Sequence, residues 1–321
     1  MTMRSLWLLW PLALLSTACL REELPVAPFE RGEAATVQVS MQSDYRDQIW
    51  YDLGSRSIVS VNERTAWDLG LGCADSTPWL WLNTSCAMQV ALTGSMDFDA
   101  VTDDAALSYR PDHPSGHFDS LALTAALDGQ VVVIDRGYNS AGRWRGKVKF
   151  QLLGVDAEGY RFRYARLDGS EAHTVEVAKD ERFNFVGFSF TTHEAVQIEP
   201  PKESYDLCFT TYTHLFYDPL LPYLVNGALL NPHQTQAGLD TAYAFAAVDR
   251  EVATTFALSS RRDAIGYDWK SYSIDAGSFT VYPEQVYVLR DSEGFWYKLH
   301  FLDFYDENGQ KGAPTFAVQR L

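Results

Sequence analysis

The 321-residue chain lacks the short catalytic signatures that can be recognised from residues alone. It has no GxSxG elbow, no HExxH, no Walker loop and no GxGxxG after a strand. Nucleophilic hydrolysis, zinc-peptidase chemistry and dinucleotide binding therefore have no motif behind them. Cysteine is scarce, with four residues and neither a CxxC pair nor a Cys/His spacing suited to structural zinc. Basic residues are outnumbered, 26 Lys and Arg against 42 Asp and Glu, for a formal net charge of −16. That balance disfavours nucleic acid as a partner and repels anionic head groups. Carboxylates are too numerous for any two to be picked out as a glycosidase-like pair. No stretch carries a sustained, capped helical stripe, and the best helix candidate is Asp240 to Phe256.

What is present begins with an export signal. Met1 to Arg4 supply a short positive start, and Leu6 to Leu15 supply an apolar run too short to span a bilayer, which reads as a signal peptide over residues 1–18. Ser16-Thr17-Ala18-Cys19 places a small residue before a cysteine, as lipoprotein signals do, with serine where leucine is usual three places before the cysteine. Cys19 is thus the expected lipid attachment point; the alternative is cleavage near Ala18 that leaves an ordinary thiol. Leu20-Arg21-Glu22-Glu23 resembles the basic-then-acidic tag that sends Bacteroidetes lipoproteins to the outer face of the outer membrane. Residues 19–35, with their prolines and charges, read as a tether. Membrane contact is expected through the lipid anchor only.

Cys73, Cys86 and Cys208 remain in a chain that leaves the reducing cytoplasm, so a disulfide is permitted. Cys73 with Cys86 is the favoured pair because the two flank one loop, although Cys208 can partner either.

An internal repeat organises the rest. Thr36-Val37-Gln38-Val39 recurs as Thr174-Val175-Glu176-Val177, Ile58-Val59-Ser60-Val61 as Ala195-Val196-Gln197-Ile198, and Trp67-Asp68-Leu69 as Tyr205-Asp206-Leu207, at offsets of 138, 137 and 138. Lys147 to Phe150 matches Lys298 to Phe301, and Arg161 to Leu167 matches Thr315 to Leu321, in the same order. The matched segments alternate apolar and polar residues and are rich in β-branched and aromatic ones, as strands are. Val148, Phe150 and Leu152 are expected inward and Lys147, Lys149 and Gln151 outward. Asp156 to Gly159 and Asp306 to Gly309 read as hairpin turns rather than calcium loops. The expectation is a mainly β chain of two tandem related antiparallel modules, over 36–170 and 171–321, with few short helices. Asp68 and Asp206, kept at equivalent positions, are expected to serve the scaffold by bonding backbone amides.

Seven histidines are the candidate metal ligands. His113 and His117 lie beside Asp112 and Asp119, but Pro114 and Gly116 argue for a solvated loop. His193, His214 and His233 lie in or beside the segments that open the second copy, and His300 is expected on an outward face.

Several segments resemble the HmuY-like haem-binding lipoproteins of Bacteroidetes: Trp67-Asp68-Leu69 and its echo from Tyr205 to Thr213, Pro222 to Gly227, Tyr297 to Tyr305, and Lys311 to Phe316. The resemblance implies an all-β protein, anchored in the outer membrane, that captures haem and passes it to a receptor of the TonB-dependent kind. It also implies iron ligands that this chain does not carry at the matching place, because Tyr272 to Gly277, before Val286 to Arg290, contains no histidine. His214 is then the first candidate for haem iron, and Met88 the alternative, since other members use methionine. The competing function is a non-haem module that binds a glycan, a peptide or another surface protein through exposed Trp and Tyr. A binding protein rather than an enzyme is expected.

Overall fold

The computed structural model describes residues 32–74 and 78–321, which are mainly antiparallel β. Before residue 170 the strands are β1 (Ala35–Gln38), β2 (Asp47–Asp52), β3 (Ser57–Glu63), β4 (Leu69–Gly72), β5 (Leu80–Leu82), β6 (Gln89–Leu92), β7 (Tyr109–Arg110), β8 (Val132–Asp135), β9 (Lys147–Val155) and β10 (Gly159–Ala165). After it come β11 (His173–Ala178), β12 (Phe185–Ser189), β13 (Glu194–Val196), β14 (Leu207–Tyr217), β15 (Leu220–Leu230), β16 (Gln236–Asp240), β17 (Lys270–Ser273), β18 (Ser278–Val281), β19 (Val286–Arg290), β20 (Trp296–Tyr305) and β21 (Lys311–Arg320). The signal peptide, Cys19 and most of the expected tether lie outside the described residues. Among those described, no helix is long and apolar enough to cross a membrane.

Pairing crosses between the two halves of the chain. β1 pairs with β21, the last strand, and β11 pairs with β10. β2 pairs with β14, with Trp50 opposite Cys208, and β12 pairs with β4, with Gly187 opposite Gly70. The boundary expected at residue 170 therefore runs through all four larger sheets, each of which holds strands from both sides of it. Residues 32–321 form one compact unit.

The two main cores repeat one arrangement. In the first, Phe162 meets Phe188 edge-on at 4.9 Å and 86°. In the second, Phe316 meets Tyr51 edge-on at 5.3 Å and 85°. Such ring pairs add specific geometry to the burial that drives the fold.

The expected inward residues Val148, Phe150 and Leu152 are buried in the first core. Two of the three residues expected outward, Lys149 and Gln151, do not reach solvent. Lys149 is buried, donates from Nζ to the Val101 carbonyl at 3.0 Å and lies over the Phe98 ring, while Gln151 donates to the Met96 and Gly129 carbonyls. Lys298 is likewise buried and donates to the Phe245 and Val248 carbonyls. Loop segments thus cover the second face of both long hairpins, and their carbonyls satisfy each buried ammonium. The turns at Asp156 and Asp306 form as expected, each aspartate accepting backbone N–H groups within its own turn.

Asp240–Phe256 is not one helix; it holds a short turn of helix at Phe245–Ala247 and α1 (Arg250–Ala253), with Asp249 capping α1 through the Val252 N–H. Aromatic and β-branched residues keep the remainder extended or turned. The Cys73–Cys86 bridge is also absent, since Cys73, Cys86 and Cys208 are all free and buried. The pairing of Leu69 with Leu82 and Leu71 with Leu80 puts Cys73 and Cys86 beyond opposite ends of the β4–β5 ladder. Four residues of strand separate Cys73 from Leu69 alone, about 13 Å, against the roughly 7 Å a disulfide can bridge.

Candidate functional site

The halves differ most where β14 and β15, eleven residues each, replace the four of β4 and the three of β5. The extra length projects from the shared sheet and forms one wall of a cleft of about 590 Å³. Gly227 explains how the next segment packs on that wall, because a Cβ there would sit 2.1 Å from the Gly266 carbonyl oxygen. Without one, Ala228 and Gly266 exchange two backbone hydrogen bonds at 3.0 Å, and Tyr267 and Asp268 are fixed beside β15.

The opposite wall is the β17–β18 hairpin, where Tyr272 stands across from Phe279 with ring centres 4.9 Å apart. Trp269 anchors the base of this hairpin by stacking flat on Phe301 of the second core at 3.9 Å. Tyr45, Phe216, Tyr223 and Tyr282 complete a lining with seven aromatic rings.

The polar groups of the cleft are few. Lys270 is buried, donates to the Asn226 carbonyl at 2.8 Å and lies over the Trp269 and Phe304 rings, and this desolvation lowers its pKa well below that of a free lysine. Lys311 lies over the Tyr45 ring, 5.1 Å from its centre, and Asp268 is the single acid in the lining. The Tyr45 hydroxyl and the Asn226 side chain are enclosed next to each other. An aromatic cleft with so few polar groups suits a largely apolar ligand.

The residues anticipated from sequence fall mostly elsewhere. His214 faces Tyr267 and Phe216 on β14 and lines a neighbouring concavity of about 350 Å³, separated from the cleft by Tyr267; its Nδ1 is buried and unpartnered. Met88 is fully buried in the first core and cannot reach a ligand as expected, because the strands around it close over the thioether. His113 bonds Ser115 and Tyr217, and no group of three or more metal-ligating side chains occurs among the described residues. His193 bonds Tyr164 and stacks on His173 at 4.1 Å, beside a larger concavity whose cations Arg136, Arg145, Lys147 and Arg166 are all taken up by acids.

Asp68 and Asp206 each accept a backbone N–H from a distant segment, Phe190 and Leu53 respectively. Asp68 accepts the Phe190 N–H at 2.8 Å and is gripped by Arg136 and Arg145. Tyr45, Asn226, Lys270 and Tyr267 carry no sequence signal of their own; Pro222 to Gly227, quoted above for its resemblance, is the segment that would have led to them.

A family profile described as HmuY protein matches residues 44–317. No curated protein matches the chain. Among solved structures, apo PinO from Porphyromonas gingivitis aligns over 90% of this chain and 98% of its own, at 10% identity and a TM-score of 0.28. The apo HmuY analogue of Tannerella forsythia aligns over 90% and 95%, at 8% identity and a TM-score of 0.27. A Bacteroides vulgatus protein provisionally described as HmuY-like and haem-binding aligns over 89% and 90%, at 11% identity and a TM-score of 0.23. With most of its length matched by that one profile, the chain belongs to the HmuY family.

Proposed function

We propose that this protein is a surface lipoprotein that binds haem in the β15/β17–β18 cleft and delivers it to an outer-membrane receptor, acting as a carrier rather than an enzyme. The observation that carries the reading is a cleft of about 590 Å³ walled by seven aromatic rings, within the size range of small-molecule sites. Family membership supports haem as the ligand class.

The residues fit the group. Phe216, Tyr223, Tyr272 and Phe279 offer faces and edges to a flat apolar ring system. Lys311 offers a positive charge to a carboxylate side arm. Titrating the full chain with haemin, followed by absorbance, tests the reading. A saturable Soret shift at one haem per chain is expected, and a flat titration in both redox states would sink the proposal.

A second reading is favoured by one observation. The β14–β15 tip exposes Tyr217, Leu220 and Leu221, and Ile274 on the β17–β18 turn is 87% exposed, so apolar groups flank the mouth of the cleft. Such a rim suits contact with another protein. In that reading the cleft seats a side chain of the partner, and haemin does not bind.

A further inference from the structure

We infer that Tyr267 supplies the protein ligand to haem iron in this cleft, through its phenol oxygen. The inference rests on the haem reading above.

The lining contains no histidine, methionine or cysteine, so the nitrogen and sulfur donors usual for haem iron are absent from it. The donors available are phenols, two amines and one carboxylate. Lys270 is committed to the Asn226 carbonyl and to the rings it lies over, and Lys311 stays solvated above Tyr45. Tyr282 donates its hydroxyl to the Ser271 Oγ at 2.6 Å. The Tyr45 hydroxyl is enclosed, while Tyr223 and Tyr272 lie more than half exposed at the rim.

Tyr267 differs from all of these. Its ring is held between His214, at 4.9 Å and 63°, and Phe216, at 6.4 Å and 76°, and its backbone is fixed by the close approach of Gly266 to Gly227. The ring is therefore positioned before any ligand arrives. The hydroxyl faces the Asp268 carboxylate, and partial burial together with that carboxylate holds its pKa at about 12. Free in the cleft it is a neutral phenol. On ligation the O–H bond breaks, the oxygen's electron pair forms the bond to ferric iron, and the proton passes by way of Asp268 to solvent. A metal cation at that position reverses the local preference for the protonated form. The anionic oxygen favours ferric over ferrous iron, so reduction weakens the bond.

The test uses the full chain loaded with haemin, read by resonance Raman and by electron paramagnetic resonance. We expect tyrosinate bands and a high-spin ferric signal, with both altered on reduction. Tyr267→Phe keeps the ring between His214 and Phe216, which circular dichroism checks, and is expected to abolish the tyrosinate bands. It should also weaken haemin binding on the order of 10- to 100-fold. His214→Phe keeps an aromatic ring against Tyr267 while removing both imidazole nitrogens, and is expected to leave the bands in place. Bands that persist in Tyr267→Phe, or a low-spin spectrum that His214→Phe abolishes, overturn the assignment while the cleft reading survives. No binding by the wild-type chain overturns the haem reading itself, and this inference with it.

Discussion

Asp206 accepts the backbone N–H of Leu53 at 2.8 Å across 153 residues of sequence. Asp68 accepts the equivalent N–H, that of Phe190, at 2.8 Å in the opposite direction. The two aspartates also donate their own N–H groups to the Tyr51 and Phe188 carbonyls, and accept at their carbonyls from Asn231 and Asn83. Each asparagine closes its loop with two further bonds, to Trp67 and Arg64 or to Tyr205 and Lys202. We propose that the fold is a duplicated unit whose copies have exchanged their first three strands, since β1 and β2 pair with β21 and β14 and carry β3, while β11 and β12 pair with β10 and β4 and carry β13.

Exchange makes each half incomplete. Residues 36–170 alone leave β4 without β12 and strip Asp68 of the Phe190 N–H. Neither 36–170 nor 171–321 is expected to show native β circular dichroism when made separately, whereas co-expressed halves should associate. Independent folding of either half would contradict the exchange.

The equivalent aspartates have diverged electrostatically. Asp68 is fully buried between two guanidiniums, so Asp68→Asn leaves Arg136 and Arg145 short of a counter-charge and is expected to cost about 3–5 kcal/mol. Asp206 instead lies near Asp52 and Asp291. There an amide can accept from Leu53 and donate to Asp52, as the protonated carboxyl does, so at about pH 5 Asp206→Asn is expected to change stability by no more than about 1 kcal/mol. Urea unfolding of both variants checks the contrast.

A pH dependence follows from the same site. Burial, and then the neighbouring acids, push the Asp206 carboxyl up to about 8, and burial takes Asp112 to about 6. Between about pH 4 and those values the folded chain holds protons that the unfolded chain has released, so this contribution to stability is present at low pH and is lost as pH rises. The urea midpoint is expected to fall from about pH 5 to about pH 8, and Asp206→Asn should remove much of that fall. An identical pH profile for wild type and variant would rule out Asp206 as the source.

The cleft can be blocked without touching either core. Ser271 is exposed on β17, so Ser271→Trp is expected to fill the space between the walls, reduce haemin affinity by at least about ten-fold and leave the urea midpoint unchanged. Isothermal titration alongside unfolding separates the two effects.

Much of the fold was legible because strand alternation and turn chemistry are local. The Asp156 and Asp306 turns and the inward set Val148, Phe150 and Leu152 needed no tertiary information. Strand exchange was not legible, because order along the chain does not say which copy a strand pairs with. Asn83 and Asn231 escaped notice because the longer β14–β15 hairpin places them 148 residues apart, off the 138-residue period. Burial of Lys149 and Lys298 is not legible in the sequence, because their partners are backbone carbonyls of irregular segments, which leave no pattern. The cleft itself depends on a contact between Gly227 and Gly266 that neither glycine announces.

A crystal structure of the chain grown with haemin shows whether the β15/β17–β18 cleft is the haem site. The porphyrin is expected between Tyr223 and Tyr272, with its iron toward Tyr267. A porphyrin seated instead in the concavity beside Arg136 and His193, or crystals that exclude haemin, would contradict it.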